Sequence, residues 1–103
     1  FRGVEEALIL AQGTGLEIIQ GVEIRTNHNG TARDILVYFP DIELFKVQKE
    51  ELSQTMPKRG SSTKEVIKWA HSFGGIAIYA HPEELYGEDI SKEIIFELII
   101  SIF

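Results

Sequence analysis

"EVIKWAHSFGGIAIYAHPEE", Glu65 to Glu84, is the stretch that decides the fold. Its first half carries Val66, Trp69, Ala70 and Phe73 at the spacing of one helix face. Ser62, three residues before Glu65, forms a capping box with it, each side chain serving a free backbone N–H of the first turn. His71 falls in the last turn, where partial positive charge suits the helix dipole. Gly74-Gly75 then stops the helix, and "IAIYAH" reads as a strand that ends abruptly in His81, Pro82, Glu83 and Glu84. Helix, short glycine turn and apolar strand together make one unit of an α/β layer or barrel.

The same unit recurs upstream. Val4, Ala7, Leu8 and Ala11 make an amphipathic stripe, and "GTG" at Gly13 to Gly15 ends that helix. "LEIIQGVEI" follows as a buried strand. "TNHNGTAR" reads as a turn around Asn29-Gly30, with His28 exposed in it. "DILVYF", closed by Pro40, is the next strand, and so tight a connection predicts an antiparallel pair. "IELFKVQKEELSQT" has helix-forming composition, "MPKRGSS" is a loop, and residues 89–103 read as a last helix starting near Asp89 or Ser91. The predicted order is α-β-β-α-α-β-α.

Composition sets the outer limits. The 103 residues fit one domain, and 44% hydrophobic with 25% charged residues describes a folded globular chain. A net charge of −6 argues against a nucleic-acid backbone as the main partner and would suit a site that collects cations. The absence of cysteine excludes disulfides and thiolate metal sites and fits the cytoplasm. "IIFELIISIF", Ile94 to Phe103, is too short for a membrane span and is interrupted by Glu97. The chain opens at Phe1 within what reads as a helix and stops in that apolar run, so a piece of a longer protein is expected. Such an open piece leaves strand edges and apolar faces uncovered, which predicts self-association through the 94–103 segment among others.

Ligands in α/β folds gather at the C-terminal ends of strands. His81 falls at such an end, and Glu23 lies near the end of "IIQGVEI". A carboxylate and an imidazole on neighbouring strand ends make ligands for a divalent cation, with Asp34 as a third candidate. Each has a plainer reading. His81 could be a hydrogen-bonded structural histidine, Glu23 the solvent-facing member of an alternating strand, and Asp34 a turn residue bonding its own backbone.

"GLEIIQGVEIRTNHNG", "DILVYF" and "EVIKWAHSFGGIAIYAHPEE" together resemble the PHP family (polymerase and histidinol phosphatase), in the family's order from about Val4 to Glu84. The family pattern is a helix ending in a Gly-Leu turn, a Gly-Val-Glu-Ile strand, a His-Ile-Leu strand, then a helix leading into Gly-Gly-Ile-Ala and Ala-His-Pro. "MPKRGSSTKEVI" also looks like the lead-in of the family's short members. The resemblance implies a single partial domain over residues 1–103: part of a distorted β/α barrel of PHP type, lacking the first and last strands. It implies two or three divalent metals (Mn, Mg, Zn or Fe) at the strand ends, making a hydroxide that attacks a phosphoester. Glu23 then matches the family's metal-ligating, often bridging, glutamate, and His81 the histidine of Ala-His-Pro.

The chain departs from that pattern in several places, among them Val37, which stands where the family has Gly. The opening His-x-His and the closing Asp-x-His are absent, and Asp34 stands where the family has His before Ile-Leu. Three expectations follow. The chain is a segment of a metal-dependent phosphoesterase acting on a phosphorylated small molecule or nucleotide, with nucleic acid an open substrate class, and has little activity alone. Or it is a non-catalytic PHP-like binding or assembly module with a degenerate metal site. Or it is a generic α/β interaction domain that binds no metal tightly.

Overall fold

The computed structural model describes residues 3–80. Six elements follow in order: α1 (Val4–Ala11), β1 (Gln20–His28), β2 (Thr31–Phe39), α2 (Ile42–Thr55), α3 (Thr63–Ser72) and β3 (Ile76–Tyr79). The strands form one sheet in the order β1-β2-β3, antiparallel throughout. The chain is thus mixed α/β, and the expected antiparallel pairing of the first two strands is found. The expected last helix, over residues 89–103, and the self-association assigned to residues 94–103 lie outside the described residues.

Turn chemistry fixes the register. Asn29 and Gly30 both take positive φ, 51° and 83°, as a two-residue hairpin turn requires. Asn27 Oδ1 accepts from the Gly30 N–H at 2.9 Å, which holds the turn from one side. Pairing then runs outward from His28–Thr31 through Arg25–Asp34 to Gln20–Phe39. The sequence reading placed β1 four residues too early and made the turn too long. β2 ends at Phe39 because Pro40 has no N–H to donate, so Leu16–Ile19 find no partner strand. Leu16 and Ile19 are accordingly exposed rather than buried. His28, expected in an exposed turn, instead closes β1 and is 8% exposed.

Period-two alternation splits the sheet into two unlike faces. Ile24, Ile35, Val37, Phe39 and Ala77 point one way and are buried under the helices. Gly21, Glu23, Arg25, Asp34, Leu36, Tyr38, Ile76 and Ile78 share the other face, which no described helix covers, and Ile76 and Ile78 are correspondingly exposed.

α3 is the helix that seals the core. Ser62 Oγ accepts from the Glu65 N–H at 3.1 Å, one half of the expected capping box; the return bond from the Glu65 side chain to the Ser62 N–H is not found among the described residues. Val66, Trp69 and Ala70 are buried as expected, and so is Ile67. Trp69 stands edge-on to Phe39 at 5.9 Å between ring centres, and its Nε1–H donates to Thr55 Oγ1 at 3.1 Å. Thr55 Oγ1 donates in turn to the Glu51 carbonyl at 2.7 Å. One indole therefore joins α3, β2 and α2. The segment read as a helix from composition alone, Ile42–Thr55, is α2 as expected, capped by Asp41 accepting from the Leu44 N–H. Val4 of α1 is buried in the core, and Lys49 of α2 is paired to Glu5 of α1, whose carboxyl is held below its usual range by that hydrogen bond.

The two glycines after α3 do different work. Gly74, at φ 74°, is the left-handed residue that ends the helix: its N–H bonds the His71 carbonyl, and the Gly75 N–H bonds the Ala70 carbonyl. Gly75 is instead required by contact. A Cβ there would lie 2.9 Å from both the Ala70 carbonyl oxygen and Phe39 Cε1. Gly75→Ala is therefore expected to cost about 1–3 kcal/mol, as overpacking against backbone does. A urea melt with an unchanged midpoint would show that the turn yields freely.

Candidate functional site

Glu23 and Asp34 come from opposite strands of the hairpin to one face of the sheet. Glu23 pairs with Leu36 and Arg25 with Asp34, so the two carboxylates are diagonal neighbours. Both line a cleft of about 370 Å³ along the outer edge of β1, together with Arg25, Met56, Pro57 and Arg59. The far wall is the segment joining α2 to α3. It is tied to β1 by hydrogen bonds from the Gly60 N–H to the Arg25 carbonyl (2.8 Å) and from the Asn27 N–H to the Ser61 carbonyl (2.9 Å). These bonds cover part of what would otherwise be an open strand edge.

The two acids are in different states. Glu23 is exposed in the cleft, with no hydrogen bond or ion pair to any described residue. Asp34 is 5% exposed and held by Arg25 through two parallel bonds, Nε to Oδ1 at 2.9 Å and Nη2 to Oδ2 at 3.1 Å. A fork of this kind takes one lone pair on each oxygen and sets a fixed positive charge beside any cation that would bind there. Asp34 is therefore a strand residue in a cross-strand ion pair, and the turn reading of it is set aside. Arg59, on the loop wall, has no ion pair among the described residues. The cleft holds two carboxylates and two guanidiniums, of which one of each is already matched.

Among the described residues no group of three or more His, Asp or Glu side chains could hold a metal ion. Glu23 and Asp34 do not by themselves make up such a group. His81, the third residue named from sequence, lies outside the described residues. Its predecessor Ala80 donates its N–H to the Asp34 carbonyl at 2.9 Å, so the chain leaves β3 beside Asp34. No helix among the described residues is long and apolar enough to cross a membrane.

Sequence reasoning missed Arg25 and Arg59 as cleft residues. Arg25 could have been found by counting outward from the two-residue turn, which sets it opposite Asp34. Arg59 carries no such signal, because its place depends on how the loop before α3 lies against β1. Comparison of the chain with family profiles, curated proteins and solved structures gives no match.

Proposed function

We propose that the chain is a segment of a metal-dependent phosphoesterase of PHP type, with Glu23 as a metal ligand and the cleft beside β1 as the place where a phosphoester binds. The observation that carries this reading is the composition of that cleft: a carboxylate, Glu23, and a guanidinium, Arg59, neither of them in an ion pair among the described residues, beside the Arg25 guanidinium that is forked to Asp34. Phosphoester hydrolysis needs both, a carboxylate to hold a cation and fixed positive groups to receive phosphoryl oxygens. A divalent cation held there would supply a water of lowered pKa. His81 is the further ligand that the resemblance implies, and the substrate would be a phosphorylated small molecule or a nucleotide.

A second reading is favoured by one specific contact. The Arg25–Asp34 fork occupies the carboxylate that stands at the family's histidine position, as a degenerate metal site kept for binding or assembly would. Hydrolysis of bis-(p-nitrophenyl) phosphate and of a nucleotide, with Mn²⁺, Mg²⁺ or Zn²⁺, separates the two. The assay compares the 103-residue chain with a chain extended at both ends in its reading frame. The enzyme reading expects turnover by the extended chain, lowered at least about 100-fold by Glu23→Gln, and background rates from the short chain. An extended chain inactive with all three metals contradicts it.

A further inference from the structure

Asn29 and Gly30 form the tip of the β1–β2 hairpin, and both are exposed. The chain has two asparagines, Asn27 and Asn29, and only Asn29 precedes a glycine. That order has a chemical consequence. The side-chain amide of an asparagine is open to attack by the backbone nitrogen of the next residue, and a glycine leaves that nitrogen uncrowded. The attack closes a five-membered imide, which water opens to aspartate or isoaspartate.

The surroundings of this tip bear on that reaction. Asn29 Nδ2 lies 3.4 Å from His28 Nε2, so an imidazole stands beside the nitrogen that leaves. His28 closes β1 and is 8% exposed, which holds its ring in that place. Asn27, His28 and Asn29 line a hollow of about 210 Å³ together with Ser62, Thr63 and Lys64, the cap and first residues of α3. A polar hollow of that size admits water to the amide. Lys64 and the positive end of α3 set a field there that favours negative charge building on the Asn29 carbonyl oxygen. One contact acts the other way: the Gly30 N–H donates to Asn27 Oδ1 at 2.9 Å and must leave that bond to react.

We propose that Asn29 is a self-modifying site, converted to aspartate and isoaspartate in the folded chain with His28 as proton donor to the departing ammonia. The Gly30 nitrogen loses its proton to water as its lone pair bonds Asn29 Cγ. His28 delivers a proton to Nδ2, the Cγ–Nδ2 bond breaks, and the imidazole regains its proton from water. Water then opens the imide, so the net change is the gain of water and the loss of ammonia, with nothing oxidised. The isoaspartyl product lengthens the turn by one backbone carbon. Asn29 sits at φ 51° in the two-residue turn that sets the His28–Thr31 pair, so the longer backbone breaks that pairing. This chemistry is independent of the phosphoesterase reading.

The test incubates the 103-residue chain in neutral buffer, folded and in concentrated urea, and follows the peptide Thr26–Arg33 released by cleavage after Arg25 and Arg33. Fragmentation mass spectrometry assigns the converted residue, and isoaspartyl methyltransferase labelling separates the two products. The expected result is conversion at Asn29 with Asn27 intact, at least as fast in the folded chain as in urea. His28→Gln, its fold checked by circular dichroism, is expected to slow the folded chain at least about tenfold, short of the roughly 100-fold a fully positioned proton donor supplies. Asn27→Ala, which frees the Gly30 N–H, is expected to raise the rate about fivefold, the scale of one hydrogen bond. Wild type reacting more slowly when folded than in urea overturns the proposal, as does a folded His28→Gln chain that keeps the wild-type rate. The wild-type comparison decides even where a variant fails to fold.

Discussion

Replacing Trp69 by alanine is expected to lower the melting temperature by on the order of 20 °C, or to leave the chain unfolded at 37 °C. Truncating a buried Trp costs about 3–5 kcal/mol, against roughly 5–15 kcal/mol for a whole domain of this size. The expected loss sits at the upper end for a specific reason. The indole is 8% exposed, edge-on to Phe39 of β2, tilted against Phe73, and hydrogen-bonded to Thr55 of α2. No other described side chain joins three elements by both ring packing and a polar bond. Trp69→Phe keeps an aromatic ring in place but loses the bond and part of the buried ring, so a smaller cost of about 1–3 kcal/mol is expected there. Circular-dichroism melts of the two variants check the ordering. A Trp69→Ala chain melting within about 5 °C of wild type would show that the α3 contact is not what holds the sheet.

The second large effect concerns cation binding. Arg25→Gln is expected to tighten Mn²⁺ binding by about tenfold, which corresponds to about 1.4 kcal/mol. Removing the guanidinium takes a positive charge out of the cleft and releases the Asp34 carboxylate to act beside Glu23. Stability is expected to fall as well, because the Asp34 side chain is only 7% exposed and loses the guanidinium that compensates its charge. Calorimetric titration with Mn²⁺ measures both chains under one buffer. Equal or weaker affinity in Arg25→Gln would mean that the fork does not govern access to Asp34.

Local chemistry was the most legible layer of this sequence. The Ser62 cap on the Glu65 N–H, the Asn29-Gly30 turn and the Gly74-Gly75 stop each act through bonds a few residues long, and each is found where its residues predict. The limits of β1 were not legible, because Leu16–Ile19 have full strand character and lack only a partner. That partner's length was set by Pro40, which follows the neighbouring strand β2. The same non-local cause hid the buried polar residues. Arg33 follows the inward positions Ile35, Val37 and Phe39 in period two, so alternation pointed to its burial although its chemistry argued the reverse. Glu23 and Asp34 were read as neighbours in function from their types, their places near strand ends and the family resemblance. That they share a cleft is a consequence of register, and that Asp34 is already engaged follows from the residue opposite it.

Mn²⁺ titration of the wild-type chain against Glu23→Gln, read by the loss of the free-ion electron paramagnetic resonance signal, tests the functional reading most directly. The substitution keeps the size of an exposed side chain and removes only its charge, so the fold is expected to be untouched. The account predicts saturable binding by wild type and at least a tenfold loss in Glu23→Gln. Indistinguishable titrations for the two chains would contradict it.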